Sequence, residues 1–334
     1  MGVKPRTPGG GAFLRRLLRL TRGAVGAAFS LGPGYEPQPP GPNARYDRVA
    51  GYYLDLRQKA AAELRPRVTG RGEVNLPGPT ATAQRALGLH ERWLVGDEQA
   101  FPLFLEEIRL LQTRAQQVGD TLLWQYHVDV PKFRQRAPSY SCMAQGQAAS
   151  AFARAYLATE DDVWAEAAVA AVRPLTADEG RLGLVSETAG GPALEEAPTD
   201  PPSHILNGWV FALWGLWDVA TALADADTRS LFNQSAEALG RMLFEYDVGW
   251  WTRYSLFPPV APDLAKPFYH AIHVAQMPAL YQMTNDSVFA DAAARWSAYD
   301  QLTNRARAVA AKAPSVIREA WLAPERERPR SSDG

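Results

Sequence analysis

Between about Thr80 and Ala311 apolar residues recur at i, i+3, i+4 and i+7, and hardly any segment alternates apolar with polar positions. The central chain therefore reads as a series of α-helices. A local design repeats along it: an apolar helix, a short acidic or Asn-bearing turn, then a second helix. The turns are VGDEQAF around Asp97, ATEDDVW around Asp161, ADADTRSLF around Asp227 and MTNDSVF around Asp286. Each offers Asp, Asn or Thr where a helix N-cap is wanted. They lie 64, 66 and 59 residues apart, which is room for two helices and their connections in each unit. Hairpins stacked at this period build either a solenoid or a closed ring. The connections opposite the turns, Val128 to Tyr140, Leu182 to Ser203 and Asp247 to Tyr269, are long and carry the unusual residues. That favours an all-α fold of the α/α toroid type, with the short turns on one face and the long loops around a cleft on the other.

The ends differ from this centre. No acidic residue precedes Glu36, and Lys4, Arg6, Arg15, Arg16, Arg19 and Arg22 punctuate Phe13, Leu14, Leu17, Leu18 and Leu20 at helical spacing. Such a segment suits either a helix lying on an anionic membrane surface, over residues 12–30, or a disordered basic arm. A secretory signal is a weaker third reading, because the stretch from Ala24 to Leu31 is short and rich in Gly and Ala. A proline-rich linker follows, from Pro33 to Asn43. The tail from residue 312 ends in charge and serine and reads as disordered. The domain reading is thus an arm over 1–45, a toroid over 46–311 and a tail over 312–334. Deleting the residues before Gly34 is expected to abolish binding to anionic liposomes at low salt while the ring stays folded. Equal liposome binding by the truncated protein would refute the membrane reading.

The 334 residues are 46% apolar and 21% charged with a formal net charge of −1. A sizeable core is affordable, and nothing global attracts nucleic acid, so recognition of a charged partner has to be local. Cys142 is the only cysteine, which excludes an internal disulfide and a cysteine-rich metal site. It fits a reducing compartment without requiring one; the expected location is the cytoplasm, at the inner membrane surface if the arm is a membrane helix and free of it if the arm is disordered. A homodimer is compatible with this reading.

Local chemistry concentrates in the loop GWWTRYSLFPPVAPDLAKPFYHAIHVAQ, where Arg253, Lys266, His270 and His273 face one acid, Asp263. Trp250, Trp251, Tyr254, Phe268 and Tyr269 lie among them, and flat aromatic faces are what a sugar ring packs against. Cations beside aromatics suit an acidic sugar; the bland reading is a rigid loop whose aromatics complete the core. Tyr269 and His273 share a helix face. Zinc is not expected there, because tyrosine is a poor ligand and no HExxH spacing exists. In ALEEAPTDPPSHILNGWVFALWGLWD, Glu195 and Glu196 precede a proline-rich turn and Asn207 opens an apolar helix. Adjacent carboxylates suit acid/base chemistry or a solvated edge. Asn207 is unusual enough there to imply a hydrogen-bonding duty. Trp209, Trp214 and Trp217 read as core.

The runs SYSCMAQGQAASAFARAYLATED, LEEAPTDPPSHILNGWVFALWGLWD and YDVGWWTRYSL, continued by APDLAKPFYHAIHVAQM and DSVFADAAARWSAY, resemble the C-terminal domain of D-glucuronyl C5-epimerases in order and spacing, over about Pro79 to Tyr299. The resemblance implies an α/α toroid that converts D-glucuronate to L-iduronate in a heparosan-like acidic polysaccharide. It implies Tyr254, Tyr269 and Glu196 as catalytic residues and Asn207 as a sugar contact. Arg253, Lys266, His270, Asp263, Glu195, His273, Tyr140 and Tyr126 complete the expected substrate site. Ala197 stands where the family has a tyrosine and Phe257 where it has an arginine. The family's β-rich N-terminal region has little counterpart, leaving Tyr46 to Glu73 to cap the ring.

Epimerisation removes a proton beside a carboxylate and returns one to the other face, so two acid/base groups are needed. On this reading Tyr254 and Tyr269 face each other across the sugar, and Arg253, Lys266 or His270 lowers a phenol pKa and masks the substrate carboxylate. No cofactor is expected, since neither GxGxxG nor a P-loop occurs. A uronate lyase on the same ring, or a non-catalytic glycan binder, remains the alternative.

Overall fold

In the computed structural model, residues 40–41, 43–61, 67–68, 74–75, 77–176, 182–258 and 262–322 are described. The basic arm and the last residues of the tail lie outside them.

Four helical hairpins form the body. The first helix of each is α2 (Pro79–Leu94), α4 (Cys142–Thr159), α6 (Leu206–Ala222) and α8 (Pro267–Thr284). Each is followed by a partner: α3 (Ala100–Arg114), α5 (Asp162–Thr176), α7 (Ala226–Met242) and α9 (Ser287–Tyr299). The first helices pack on one another in sequence order, and each partner packs outside its own. The sequence explains this division. Fourteen residues of α6 are buried, with apolar side chains all round, and α4 is nearly as enclosed. The outer α7 and α9 bury only a stripe at helical spacing, such as Phe289, Ala292 and Trp296.

Each acidic turn follows the C-terminus of an inner helix, so all four belong to one face of the ring. Asp286 accepts a hydrogen bond from the Val288 amide at 3.0 Å and caps α9. In the third turn the cap is Asp225, which accepts from Thr228 N at 2.7 Å, while Asp227 sits in the first helical turn.

The inner helices approach closely through glycine. A methyl group on Gly215 would fall inside the van der Waals radii of Gly146 O and Cα. Gly215→Ala is therefore expected to force α4 and α6 apart and cost ~1–3 kcal/mol, read as a lowered Tm by calorimetry. An unchanged Tm would mean that the two helices separate freely.

Two features depart from the sequence reading. The long connections hold short antiparallel hairpins: β3 (Gln116–Val118) with β4 (Thr121–Leu123), β5 (Val185–Thr188) with β6 (Gly191–Leu194), and β7 (Arg253–Ser255) with β8 (Asp263–Leu264). A fourth pair, β1 (Arg67–Val68) and β2 (Val74–Asn75), precedes α2. These strands are two to four residues long, too short for period-two alternation to register. In addition, a last helix, α10 (Leu302–Leu322), runs past residue 311, where the sequence reading placed the start of a disordered tail.

Residues 43–61, ending in the short helix α1 (Arg57–Ala61), form a strap through the ring. Tyr53 Oη donates to Asp218 Oδ1 at 2.6 Å, and the Arg154 guanidinium pairs with Asp218 Oδ2 at 2.6 Å. Arg154 also donates to the carbonyls of Ala50 and Gly51, and Tyr52 N donates to Glu91 Oε1. Glu91, Arg154 and Asp218 lie in the C-terminal halves of α2, α4 and α6. The strap thus plugs the ring from below and leaves the N-terminal ends of the inner helices to bound the cleft.

Candidate active site

A cavity of about 460 Å³ opens at the N-terminal ends of the inner helices. Thr80 of α2, Met143 of α4, Asn207 of α6 and Tyr269 of α8 contribute to its wall, with Glu196 from the connection after β6 and Tyr254 from β7. A second cavity of about 430 Å³ shares Phe133, Gln135, Ser139 and Tyr140 with the first.

Glu196 is the central acid. Burial pushes its carboxyl up to about 7 against the opposing pull of Lys132. The nearest hydrogen-bond donor is Asn207 Nδ2, at the limiting distance of 3.5 Å from Oε2. Asn207 Oδ1 is buried with no hydrogen-bond partner among the described residues and is available to a sugar hydroxyl.

Tyr254 and Tyr269 are in contact rather than opposed across a gap. Their ring centroids are 4.7 Å apart, the planes are inclined at 57°, and the hydroxyls interact. No sugar ring fits between them, which corrects the expected arrangement. The expected ionisation is corrected too. Burial, then the charge of Glu196, raises both phenols, and Tyr269 and Asp263 add to the rise at Tyr254. Both are neutral at physiological pH, so their chemistry is that of an acid or a relay. Lys132, which the sequence reading did not single out, lies 4.7 Å above the Tyr254 ring and 2.8 Å from Asp263.

Tyr126 and Tyr140 line the cavity as expected. Tyr126 Oη shares a hydrogen bond with Thr80 Oγ1 at 2.6 Å, and its pKa rises to about 12 through burial. Tyr140 Oη accepts from Gln125 Nε2.

Six expected substrate contacts lie elsewhere. His270 is fully buried, stacked on Trp251 at 3.7 Å and bonded to Thr252 Oγ1. Burial lowers its pKa to about 4, so it carries no charge for a carboxylate. His273 shares the same hydroxyl at 3.0 Å in the same core. Arg253 neighbours Tyr254 on β7 but does not line the cavity, and its Nη1 reaches toward Glu245 O. Lys266 is exposed at the N-terminus of α8 and also lies outside the lining. Asp263 is held by Ser255, Lys132 and Lys312, tying the β7–β8 hairpin to the 131–133 turn and α10.

Glu195 is a structural pin. It accepts from Ser186 Oγ, from the Ser203 amide and hydroxyl and from the His204 amide, and pairs with His204 Nδ1 at 2.6 Å. Burial opposes its charge, yet the His204 and Ser186 contacts hold its pKa below the usual carboxylate range. The pin fixes the turn that presents Glu196. The tryptophans are not sugar platforms: Trp251 is core, and Trp250 is covered by the Arg307 guanidinium at 3.9 Å.

A family model described as the D-glucuronyl C5-epimerase C-terminus matches residues 118–298, just over half of the chain and most of the residues that line the cleft. The chain belongs to the D-glucuronyl C5-epimerase family. It is 30% identical over 175 residues to the D-glucuronyl C5-epimerase of Caenorhabditis elegans, covering 48% of this chain and 28% of that protein. It is 21% identical over 179 residues to an uncharacterized protein of Methanocaldococcus jannaschii, covering 52% of this chain and 57% of that one. The epimerase-family chain thus spans well under two thirds of these curated relatives. Among solved structures, the cellobiose 2-epimerase of Bacillus thermoamylovorans superposes with a TM-score of 0.53 at 11% identity, covering 86% of both chains, and supports the α/α toroid fold.

Proposed function

We propose that the cleft inverts carbon 5 of a hexuronate residue within a polysaccharide, D-glucuronate to L-iduronate in a heparosan-like polymer. Glu196 takes the carbon-5 proton, and the Tyr254–Tyr269 pair delivers one to the opposite face. The reading is carried by one observation: a carboxyl with a pKa of about 7 and two neutral, interacting phenols share one cavity. A base poised near neutrality and an acid that stays protonated are the two groups a proton exchange at carbon needs. After transfer, Glu196 returns its proton to solvent and the phenolate is reprotonated through its partner hydroxyl.

The Caenorhabditis elegans relative is named a D-glucuronyl C5-epimerase, which supports a carbon-5 inversion of a glucuronyl residue. A second cavity beside the first, with four lining residues in common, supports a substrate larger than one sugar residue. Catalysis without a cofactor is consistent with this chemistry.

The test is product analysis after incubation with a heparosan-type polymer in deuterated water. The expected product contains iduronate and carbon-bound deuterium with no shortening of the chain. Unsaturated chain ends would make the protein a lyase. Binding without exchange or cleavage would make it a glycan-binding relative.

A further inference from the structure

A buried base has to be kept partly ionised by something, and little beside Glu196 favours its charge. Asn207 of α6 donates to it only at the limiting distance of 3.5 Å. The phenols of Tyr126, Tyr254 of β7 and Tyr269 of α8 and the buried thiol of Cys142 on α4 all feel its charge and stay neutral. The charge that opposes burial at Glu196 is the ammonium of Lys132. Other cations stand around the two cavities, Lys59 in the wall of the first and Arg134 and Arg136 in that of the second. Lys132 is set apart from them by what it touches.

Its ammonium is placed from two sides. The turn Pro131–Phe133 is closed by the Arg134 amide on Pro131 O at 3.1 Å and by paired hydrogen bonds between Val130 and Gln135 at 3.0 and 3.2 Å, which fixes the backbone under Lys132. Opposite, Asp263 Oδ2 lies 2.8 Å from Lys132 Nζ. Between these anchors the ammonium is 4.9 Å from the centroid of the Phe133 ring and 4.7 Å from that of Tyr254, distances at which a ring face holds a cation. Asp263 stands opposite Ser255 in the β7–β8 register, one residue from Tyr254, and accepts from the Ser255 hydroxyl at 2.7 Å. Lys312 of α10 lies 3.6 Å from its other oxygen. The acid therefore keeps partners when Lys132 is changed. The Lys132 side chain is 32% exposed, so a replacement there opens no hole in the core.

We infer that Lys132 is a positioning residue of the active site: anchored on Asp263, its ammonium seats the Tyr254 ring beside Tyr269 and supplies the positive potential under which Glu196 works as a carboxylate. It acts through Glu196 and Tyr254 and not on the sugar. The inference rests on Glu196 as the base of the uronate reaction proposed above and names the group that tunes it.

A nearby cation favours the ionised carboxyl, so its removal raises the Glu196 midpoint above about 7. The experiment reads that midpoint in two ways. One is carbon-13 NMR of the Glu196 carboxyl in the free protein, with Glu196→Gln assigning the resonance. The other is the acid limb of carbon-5 deuterium exchange on a heparosan-type polymer. Lys132→Met keeps the aliphatic stem on Phe133 and Tyr254 and removes the charge. Both midpoints are expected to rise by about half a pH unit or more, which slows exchange about threefold or more below pH 7. Lys132→Arg should return both close to the parent values. A purely structural role would lower exchange equally at every pH and leave the carboxyl midpoint in place. An unmoved midpoint in Lys132→Met, or in Lys132→Gln should the first variant fail to fold, overturns the inference and leaves the uronate reading standing. A parent that exchanges no deuterium at any pH overturns the uronate reading and this inference with it.

Discussion

Replacing Tyr254 by Phe is expected to lower carbon-5 exchange by ~10²-fold or more while leaving the fold and polymer binding intact. The ring of Tyr254 touches Tyr269 and Phe133 and lies under the Lys132 ammonium, and all three contacts survive the change. What is lost is one hydroxyl, and with it the partner through which the Tyr269 phenol would be reprotonated. Tyr269→Phe should have a similar effect, because it removes the other half of the pair. Single-turnover deuterium exchange, read beside oligosaccharide affinity and Tm, separates the possibilities. Parent-like exchange in both variants would make the phenols structural.

The second large effect lies away from the chemistry. Asp218→Ala removes the only carboxylate shown pairing with Arg154 and the acceptor of the Tyr53 hydroxyl, all in the core. The remaining guanidinium is buried and uncompensated, a situation that costs ~3–5 kcal/mol. For a domain of this size that is a Tm lower by roughly 6–20 °C. The strap should also loosen, because Arg154 holds the carbonyls of Ala50 and Gly51. Limited proteolysis is then expected to cut within residues 43–61 of the variant and not of the parent. Replacing both partners, Arg154→Met with Asp218→Leu, should recover part of the stability, since it removes the stranded charge. A Tm unchanged in Asp218→Ala would show that the pair does not hold the strap.

Helix identity and ring order were legible because they rest on patterns that repeat. Apolar periodicity runs through every hairpin, and each acidic turn stops one helix and starts the next. The apolar surround of α6 is what buries it as an inner helix, of which the sequence reading had taken only the tryptophans as core. The β3–β8 hairpins were not legible, because strands of two to four residues are specified by pairing with one another rather than by a face turned to the core.

For the cleft, the outcome followed the same logic. Glu196, Asn207, Tyr254 and Tyr269 line the cavity, and they stood out in the sequence because unusual residues in or beside the long loops match a family pattern. Glu195 and Glu196 are adjacent in sequence and alike in charge, yet one is tied to His204 and Ser203 while the other lines the cavity. Composition alone cannot separate them. His270 and His273 read as cations beside aromatics, but Thr252 and Trp251 enclose them in the core. Lys59 and Lys132 reach the site from the strap and from the 131–133 turn, and no periodicity announces such contacts. The clue nearest to hand was that both segments had been singled out as a cap and a long loop around the cleft.

The most direct test of the account is the pH dependence of deuterium entry at carbon 5, measured from pH 5 to 9 for the parent and for Glu196→Gln. Burial raises the Glu196 pKa to about 7, so the carboxylate that acts as base is scarce below that pH and abundant above it. The parent rate should therefore climb about tenfold per pH unit on the acid side and level off above about 7. Glu196→Gln should lose both the rate and the rising limb. A parent profile flat across the range, or a Glu196→Gln variant that keeps the parent's rate and profile, would contradict the assignment of Glu196 as the base.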